Sequence, residues 1–227
     1  MREPNKERKG EIKAINAIQL NDEQKEAKRL ILENQIVVIT GAAGSGKSLI
    51  CAQTALDLLK KKQIDKILNT RSAIEVGKSL GFLPGPLNEK FNPYMEAFLE
   101  NLQKCCTHKD EIPKLLQDEK IQALPVQFIR GKTVDDILIV EEAQNLTKQE
   151  MLAILTRLGK TGKIVINGDN DQIDIVSKTG EINGLTYILN MAKVITEIKV
   201  IKLKENHRSE LIGKILDYEY RKNGNTI

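Results

Sequence analysis

The sequence contains no tryptophan, few other aromatic residues and no long apolar run. Only 4% of its 227 residues are aromatic, which argues against an extensive surface for stacking the bases of a single-stranded nucleic acid. No apolar stretch approaches the roughly 20 residues that a helix needs to cross a bilayer. The charged beginning of the chain also lacks the apolar core of a signal peptide. We therefore predict a cytoplasmic protein with no membrane partner.

Cysteine and histidine are scarce as well. The three cysteines are an odd number, and two of them, Cys105 and Cys106, are adjacent. This pattern does not suggest a disulfide framework, and with only two histidines the spacing matches no zinc site. We predict that all three cysteines are reduced thiols that mostly fill the core.

The chain otherwise has the composition of a soluble globular protein, with 41% hydrophobic and 29% charged residues. Its net charge of +4 permits contact with nucleic acid without requiring it. The length is sufficient for one full-sized domain. We predict a charged N-terminal extension at residues 1–20 and a single domain at residues 21–227.

Apolar segments alternate with amphipathic ones along that domain. Strands are predicted at residues 36–40, 64–70, 126–129, 137–140, 163–167 and 200–203. Helices are predicted at residues 48–60, 94–106, 148–158, 182–191 and 209–221, and an earlier one begins near Asp22, its predicted N-cap. Strands that are apolar on both faces and separated by helices indicate a parallel sheet covered on each side. The predicted fold is therefore α/β, with three α/β/α layers.

One octapeptide is the most informative feature of the sequence. It fits the pattern G-x-x-x-x-G-K-[ST] and consists of Gly41, Ala42, Ala43, Gly44, Ser45, Gly46, Lys47 and Ser48. It follows a predicted strand and precedes a predicted helix, the context in which this pattern forms a phosphate-binding P-loop rather than an ordinary glycine-rich turn. Lys47 is predicted to reach the β- and γ-phosphates, and the Ser48 hydroxyl to hold Mg²⁺.

Two acidic residues, Glu141 and Glu142, end the apolar strand predicted at residues 137–140. Because this end of a parallel strand would lie beside the P-loop, Glu141 is predicted to help hold Mg²⁺. Glu142 is predicted to orient and polarise the attacking water. Between these segments the chain forms the strand predicted at 64–70, and we expect that strand to separate them, as in NTPases that carry a catalytic glutamate.

Three further residues complete the predicted site. Gln172 follows a Gly-Asp pair after a strand, where its amide could bond the γ-phosphate or the water. Gln24 lies upstream of the P-loop, and its amide matches the N6/N7 edge of adenine; the alternative is a solvent-exposed glutamine at a helix start. Arg208 follows the last strand and could stabilise charge on the γ-phosphate in cis, although an arginine there is often only surface charge.

These motifs and the segments between them resemble the PhoH family, single-domain relatives of superfamily 1 helicases. Residues 70–77 and 80–85 are similar to the family's TRPAVEAGE and LGFLPG segments, and residues 90–94 match its K-x-x-P-Y. Residues 128–133 and 142–145 match the stretches before and inside the acidic motif. The resemblance extends from about Gln24 to the predicted terminal helix. It implies a RecA-like P-loop ATPase that uses ATP and Mg²⁺.

The chain departs from the family pattern at Glu141, where an aspartate is usual. The extra methylene moves the carboxylate outward, so its contact with Mg²⁺ is expected through a water or an adjusted position. Ser48 replaces the commoner threonine and keeps the hydroxyl. The short length, the absence of a PIN-type nuclease segment and a composition typical of AT-rich coding favour a stand-alone bacteriophage-type member.

Two functions remain open at this point. One is an enzyme that hydrolyses ATP, coupled to RNA or single-stranded DNA. The other is a nucleotide-dependent oligomeric interaction module with little or no turnover. A lone chain supplies one of the two lobes that a helicase needs, so strand separation is not expected. We predict a head-to-tail hexameric ring in which Arg130 is supplied in trans as an arginine finger; the alternative is a monomer with Arg130 on its surface.

Overall fold

The computed structural model describes residues 15–16, 18–72, 87–169 and 182–205, and of residues 87–94 it describes the backbone alone. Its centre is a six-stranded sheet in which every pair of neighbouring strands is parallel. The strands are β1 (Ile36–Gly41), β2 (Ile67–Arg71), β3 (Ile121–Ala123), β4 (Ile137–Glu141), β5 (Lys163–Gly168) and β6 (Ile198–Leu203). Their order in the sheet is β3-β2-β4-β5-β1-β6.

The central strands are apolar on both faces because helices cover the sheet on each side. In β4, Ile137 and Ile139 face one hydrophobic core, whereas Leu138 and Val140 face the other. All four side chains are fully buried. The alternation in one strand therefore supplies both cores, and the predicted three-layer α/β/α architecture with a parallel sheet is confirmed.

Six α-helices lie among the described residues. They are α1 (Asp22–Glu33), α2 (Lys47–Lys60), α3 (Leu87–Cys105), α4 (Glu111–Gln117), α5 (Lys148–Leu155) and α6 (Gly184–Ala192). The first four contribute side chains to one core, and α5 and α6 to the other. None of the helices in the described part of the chain is long and apolar enough to cross a membrane.

Helix α1 starts one residue earlier than predicted. Its N-cap is Asn21, not Asp22: the Asn21 side chain accepts from the Gln24 backbone N–H at 2.8 Å, and the Gln24 side chain accepts from the Asn21 N–H at 3.2 Å. This is a capping box, which satisfies two helix-terminal donors. Within the segment assigned to the N-terminal extension, Ile15, Ile18 and Leu20 pack against the core.

Helix α2 is buried on nearly every side. The sequence predicted an amphipathic helix at residues 48–60, but Gln53 and Thr54 are buried together with the apolar residues of this helix. The reason is that α1 and α3 both pack against α2 while it also contacts the sheet. It therefore has little exposed surface outside its last turn.

The region between β2 and β4 departs most from expectation. Residues 126–129 were predicted to form a strand, whereas Val126–Phe128 is a 3-10 helix that follows Pro125. A run of four residues, three of them apolar, is too short to distinguish a strand from a helical turn. Helix α4 and strand β3 were not predicted. Helix α3 begins at Leu87, seven residues before the predicted start, and the terminal helix predicted at residues 209–221 lies outside the described residues.

The strand that separates β1 from β4 in the sheet is β5, not the β2 segment predicted at residues 64–70. In sequence β2 lies between β1 and β4, but in the sheet it pairs with the edge of β4 that faces away from β1. All six strands run in one direction, so their carboxyl ends lie at one edge. Gly41 pairs with Leu203, Thr40 with Gly168, and Arg71 with Glu141. This edge positions the candidate site.

Candidate nucleotide-binding site

The P-loop connects the end of β1 directly to the first turn of α2. Gly46, the N-cap of α2, has φ of 89°, a left-handed conformation that only glycine adopts without strain. A Cβ atom there would also lie 2.7 Å from the Gln24 Nε2. The first backbone N–H groups of α2 have no acceptor within the helix, so this end of the helix is suited to bind an anion.

Lys47 folds back over the loop. Its Nζ donates to the carbonyl oxygens of Gly41 at 2.5 Å and Ala42 at 3.0 Å. The ammonium group is therefore held at the mouth of the loop by two neutral acceptors. A phosphate oxygen would be a stronger acceptor for this cation, since hydrogen bonds between two charged groups are stronger than those to neutral carbonyls.

Gln24 fastens α1 to the P-loop. Besides its part in the capping box, its Nε2 donates to the Ser45 carbonyl oxygen at 3.2 Å, and the residue is 5% exposed. Gln24 is thus a buried amide at the wall of the site rather than a solvent-exposed residue. The hydroxyl of Ser45 is buried and has no hydrogen-bond partner among the described residues.

Ser48 and Glu141 meet at the base of the loop. The Glu141 carboxyl is 6% exposed, and its interaction with the Ser48 hydroxyl lowers its pKa. Burial raises the pKa of Glu141 above its ordinary value, while Ser48, the Asn69 amide and the charge of Arg71 favour the ionised form. The two carboxylate oxygens and the hydroxyl oxygen lie at a place where a cation would offset the cost of burying the charge.

Glu142 stands at a sharp change of chain direction. It has φ of 51° and ψ of 47°, a left-handed conformation that is uncommon for a residue with a side chain. Such strain often occurs at functional sites, where the surrounding structure holds it in place. The Glu142 residue held in this conformation lines the cavity beside the P-loop.

Gln144 connects Glu142 to the end of β5. Its Nε2 donates to the Glu142 Oε2 at 2.5 Å, and its Oε1 accepts from the backbone N–H of Asp169 at 3.0 Å. The residue is 1% exposed. The side chain of one glutamine therefore holds the predicted catalytic carboxylate against the strand that leads to the predicted Gln172.

These elements enclose a cavity of about 580 Å³. It brings together the predicted residues Gln24, Ala43, Gly44, Gly46, Lys47, Ser48 and Glu142. Asn101 and Lys104 of α3 also line it and were missed, because their spacing on a helix resembles that of any surface pair. The sequence places Gln144 in a stretch that resembles the family but does not predict its role, because that role depends on β5 lying beside β4.

Five of the predicted residues that the structure describes do not line this cavity: Gly41, Ala42, Ser45, Glu141 and Arg130. Arg130 lies on the other side of the sheet, where it lines a separate cavity of about 500 Å³ together with residues of α5. The Arg130 side chain therefore cannot contact a nucleotide bound at the P-loop of its own chain. Gln172 and Arg208 lie outside the described residues, so their predicted roles stay predictions.

The remaining titratable groups near the core fit a structural role. The three cysteines are buried and free, as predicted. Burial raises the pKa of the Cys51, Cys105 and Cys106 thiols to about 12. Among the described residues, no group of three or more His, Cys, Asp or Glu side chains is arranged to hold a metal ion.

Similarity to solved structures identifies the class of fold. The Pif1 helicase from Candida albicans superposes with a TM-score of 0.53 at 17% identity, covering 92% of this chain and 45% of the helicase. The large terminase of a thermophilic bacteriophage superposes with a TM-score of 0.54 at 8% identity, covering 92% of this chain and 52% of the terminase. Together with the P-loop, this similarity defines a P-loop NTPase fold.

The family follows from the sequence comparison. The model of the PhoH-like protein family matches residues 16–219, and the chain belongs to that family. A PhoH-like protein of Bacillus subtilis is 38% identical over 197 residues, which cover 86% of this chain and 61% of the relative. Protein PhoH of Escherichia coli is 35% identical over 158 residues, covering 68% and 44%. The chain thus spans about half of the curated relatives it matches.

Proposed function

We propose that this protein hydrolyses ATP with Mg²⁺. The observation that carries the proposal is the position of the Glu142 carboxylate: it lines the same cavity as Lys47 and Ser48 and is held there by Gln144. The P-loop accounts for triphosphate binding, and a carboxylate facing it accounts for activation of water.

Binding begins with the exchange of partners at Lys47. Its ammonium group leaves the carbonyls of Gly41 and Ala42 and pairs with the β- and γ-phosphates. The N-terminal N–H groups of α2 surround the β-phosphate. Gln24 lines the same cavity, and we propose that its amide contacts the base and distinguishes adenine from guanine.

Ser48 and Glu141 fit Mg²⁺, because this ion prefers oxygen ligands and usually takes one or two protein groups together with phosphate oxygens. The ion would neutralise charge that develops on the β- and γ-phosphate oxygens. Burial keeps the Glu141 carboxyl oriented toward Ser48. The longer glutamate in place of the usual aspartate allows direct contact or contact through a water.

Glu142 acts as the base in this proposal. Its carboxylate accepts a proton from a water as the oxygen of that water forms a bond to the γ-phosphorus, and the bond to ADP breaks. Gln144 is a positioning residue: it donates to one carboxylate oxygen and leaves the other to face the water. Gln172 and Arg208 are proposed to contact the γ-phosphate.

We also propose that a neighbouring subunit completes the site by supplying Arg130. Arg130 lies across the sheet from its own P-loop, so it could act only on the P-loop of another chain, as a head-to-tail ring requires. Mass photometry with and without ATP tests the hexamer. A protein that stays monomeric with ATP bound would exclude it.

Coupling to RNA or single-stranded DNA is also a proposal, supported by the helicase fold of the Candida albicans neighbour. If the protein were instead an interaction module, it would bind ATP without hydrolysing it, and nucleic acid would not stimulate hydrolysis. The rate of ATP hydrolysis with and without each nucleic acid, at one stated salt concentration, separates the two functions.

The experiment that tests the proposed function compares the natural protein with Lys47→Ala and with the control Lys61→Ala, an exposed lysine just after α2. Titration with a fluorescent ATP analogue and release of inorganic phosphate are both measured. We expect binding and release in the natural protein and the control, and neither in Lys47→Ala. Binding that survives in Lys47→Ala would contradict the site.

A further inference from the structure

The end of helix α3 forms one wall of the nucleotide cavity. Asn101 and Lys104 of this helix line the same cavity as Lys47 and Ser48. Asn101 is partly exposed and Lys104 is exposed, so a ligand in the cavity can reach both side chains. Neither residue belongs to the P-loop or to β4, and the proposed hydrolysis gives no role to either of them.

Hydrogen bonds fix this wall relative to the P-loop. The Nδ2 of Asn16 donates to the Lys104 carbonyl oxygen at 3.1 Å and to the Cys106 carbonyl oxygen at 2.9 Å. The chain continues from Asn16 into α1, where Gln24 donates to the Ser45 carbonyl oxygen at 3.2 Å. Helix α3 also packs directly against α2. The end of α3 is therefore held in a fixed position beside the phosphate-binding loop, as a contact that sets specificity requires.

The phosphates determine where the nucleoside lies. In the proposed site, Lys47 and the first N–H groups of α2 hold the phosphates, and Glu142 lies at the γ-phosphate. The nucleoside then lies toward the remaining lining residues, which are Ile18, Gln19, Gln24, Leu49, Asn101 and Lys104. Ile18 and Leu49 pack against one core and supply apolar surface for the faces of the base. The wall formed by α3 supplies polar groups.

Asn101 and Lys104 offer a hydrogen-bond acceptor and a donor side by side. Residues three apart on a helix are neighbours on one face, with their Cβ atoms about 5–6 Å apart. The Nδ2 of Asn101 donates back to the Ala97 carbonyl oxygen at 2.8 Å, which leaves Oδ1 to accept from a ligand. The Lys104 ammonium group has only donors. Two adjacent hydroxyls, each able to donate and to accept, match this combination.

We propose that Asn101 and Lys104 bind the two ribose hydroxyls of the nucleotide, so that the protein selects ribonucleotides over deoxyribonucleotides. The Oδ1 of Asn101 accepts from one hydroxyl, and the Nζ of Lys104 donates to the oxygen of the other. A deoxyribonucleotide loses one of these two bonds. The selection rests on the proposed nucleotide site, but it does not require that the bound nucleotide is hydrolysed.

Calorimetric titration in the presence of Mg²⁺ tests the proposal. The ligands are ADP, 2′-deoxy-ADP and 2′,3′-dideoxy-ADP, which have no γ-phosphate to hydrolyse and differ only in their ribose hydroxyls. The natural protein should bind 2′-deoxy-ADP at least about twofold more weakly than ADP, the effect of one lost hydrogen bond. It should bind 2′,3′-dideoxy-ADP more weakly again, because both bonds are then lost.

Substitutions in α3 assign these contacts through the ratio of the affinities for ADP and 2′,3′-dideoxy-ADP. Asn101→Leu should reduce this ratio about 2- to 12-fold, the effect of one hydrogen bond. Lys104→Met should also reduce it, since the loss of its charge affects the phosphates of both ligands equally and cancels in the ratio. Asn101→Asp keeps an acceptor oxygen and should retain the ratio. The matched controls Asn190→Leu and Lys61→Ala change residues that do not line the cavity and should leave the ratio unchanged.

A decisive contradiction can come from the ligands or from the variants.

Equal affinities of the natural protein for ADP and 2′,3′-dideoxy-ADP would overturn the ribose contacts and leave the proposed nucleotide site intact. A ratio that neither Asn101→Leu nor Lys104→Met changes would also overturn them, because the hydroxyls would then bind elsewhere. If thermal unfolding shows that Asn101→Leu does not fold, the ratio measured for Lys104→Met decides alone. If neither ADP nor ATP binds the natural protein, the proposed function fails together with this inference.

Discussion

Replacing Gln144 by leucine should separate the positioning of the catalytic carboxylate from nucleotide binding. Leucine has nearly the same size but can make neither of the two hydrogen bonds that join Glu142 to Asp169. The P-loop does not contact Gln144 through these bonds. ATP affinity should therefore change little, while turnover should fall.

The expected size follows from the two bonds. The Asp169 N–H becomes a buried donor that has lost its Gln144 acceptor, which destabilises the fold by about 1–3 kcal/mol. The bond to Glu142 involves a charged acceptor and contributes about 1.5–3 kcal/mol. If that free energy serves to orient the carboxylate in the transition state, its loss lowers kcat by about 10- to 150-fold.

The assay measures kcat, KM and the midpoint of thermal unfolding for Gln144→Leu. The control is Gln117→Leu, the same change at an exposed glutamine at the end of α4. A purely structural role would lower the unfolding midpoint and leave kcat per folded molecule unchanged. An unchanged kcat in folded Gln144→Leu would thus refute the positioning role.

Three further predictions concern other parts of the structure. Burial raises the pKa of Glu141 above its ordinary value of 4.5, so the folded protein favours the protonated form of this residue. Glu141→Gln should therefore unfold at the same temperature as the natural protein below pH 4.5 and at a higher temperature than the natural protein above pH 4.5. A difference between the two unfolding temperatures that stays constant across pH would contradict this prediction. Gly168→Ala places a Cβ atom 2.7 Å from the Gln144 Oε1 and should reduce kcat. At Gly131, φ is 82° and an added Cβ would have no described atom within 4 Å, so Gly131→Ala should lower only the unfolding midpoint. The three buried thiols have pKa values of about 12, so iodoacetamide should label the protein at pH 8 only after it is unfolded, as counted by mass spectrometry.

The sequence predicted the elements whose signal is local. The apolar strand at residues 137–140 and the P-loop were recognisable because a buried parallel strand is apolar at every position and the loop needs glycine where φ is positive. The short 3-10 helix Val126–Phe128 and the three-residue β3 were not, since so few residues carry no periodicity.

The relations within the site depend on packing between distant segments. Gln144 bonds to Asp169 only because β5 lies beside β4, and that neighbour relation is not encoded in either segment alone. Gln24 shows the opposite case: the pattern Asn21-x-x-Gln24 is a capping-box signature that could have predicted the N-cap. Its further bond to Ser45 could not have been predicted, because it joins α1 to the P-loop.

The central claim is that Glu142 activates the water that attacks bound ATP. Single-turnover hydrolysis of radiolabelled ATP by the natural protein and by Glu142→Gln, together with ATP affinity measured on the same samples, tests it most directly. We predict unchanged affinity and a rate at least about 100-fold lower in Glu142→Gln, the loss expected for a general base. Equal rates in the two proteins, or no hydrolysis by the natural protein, would contradict the account.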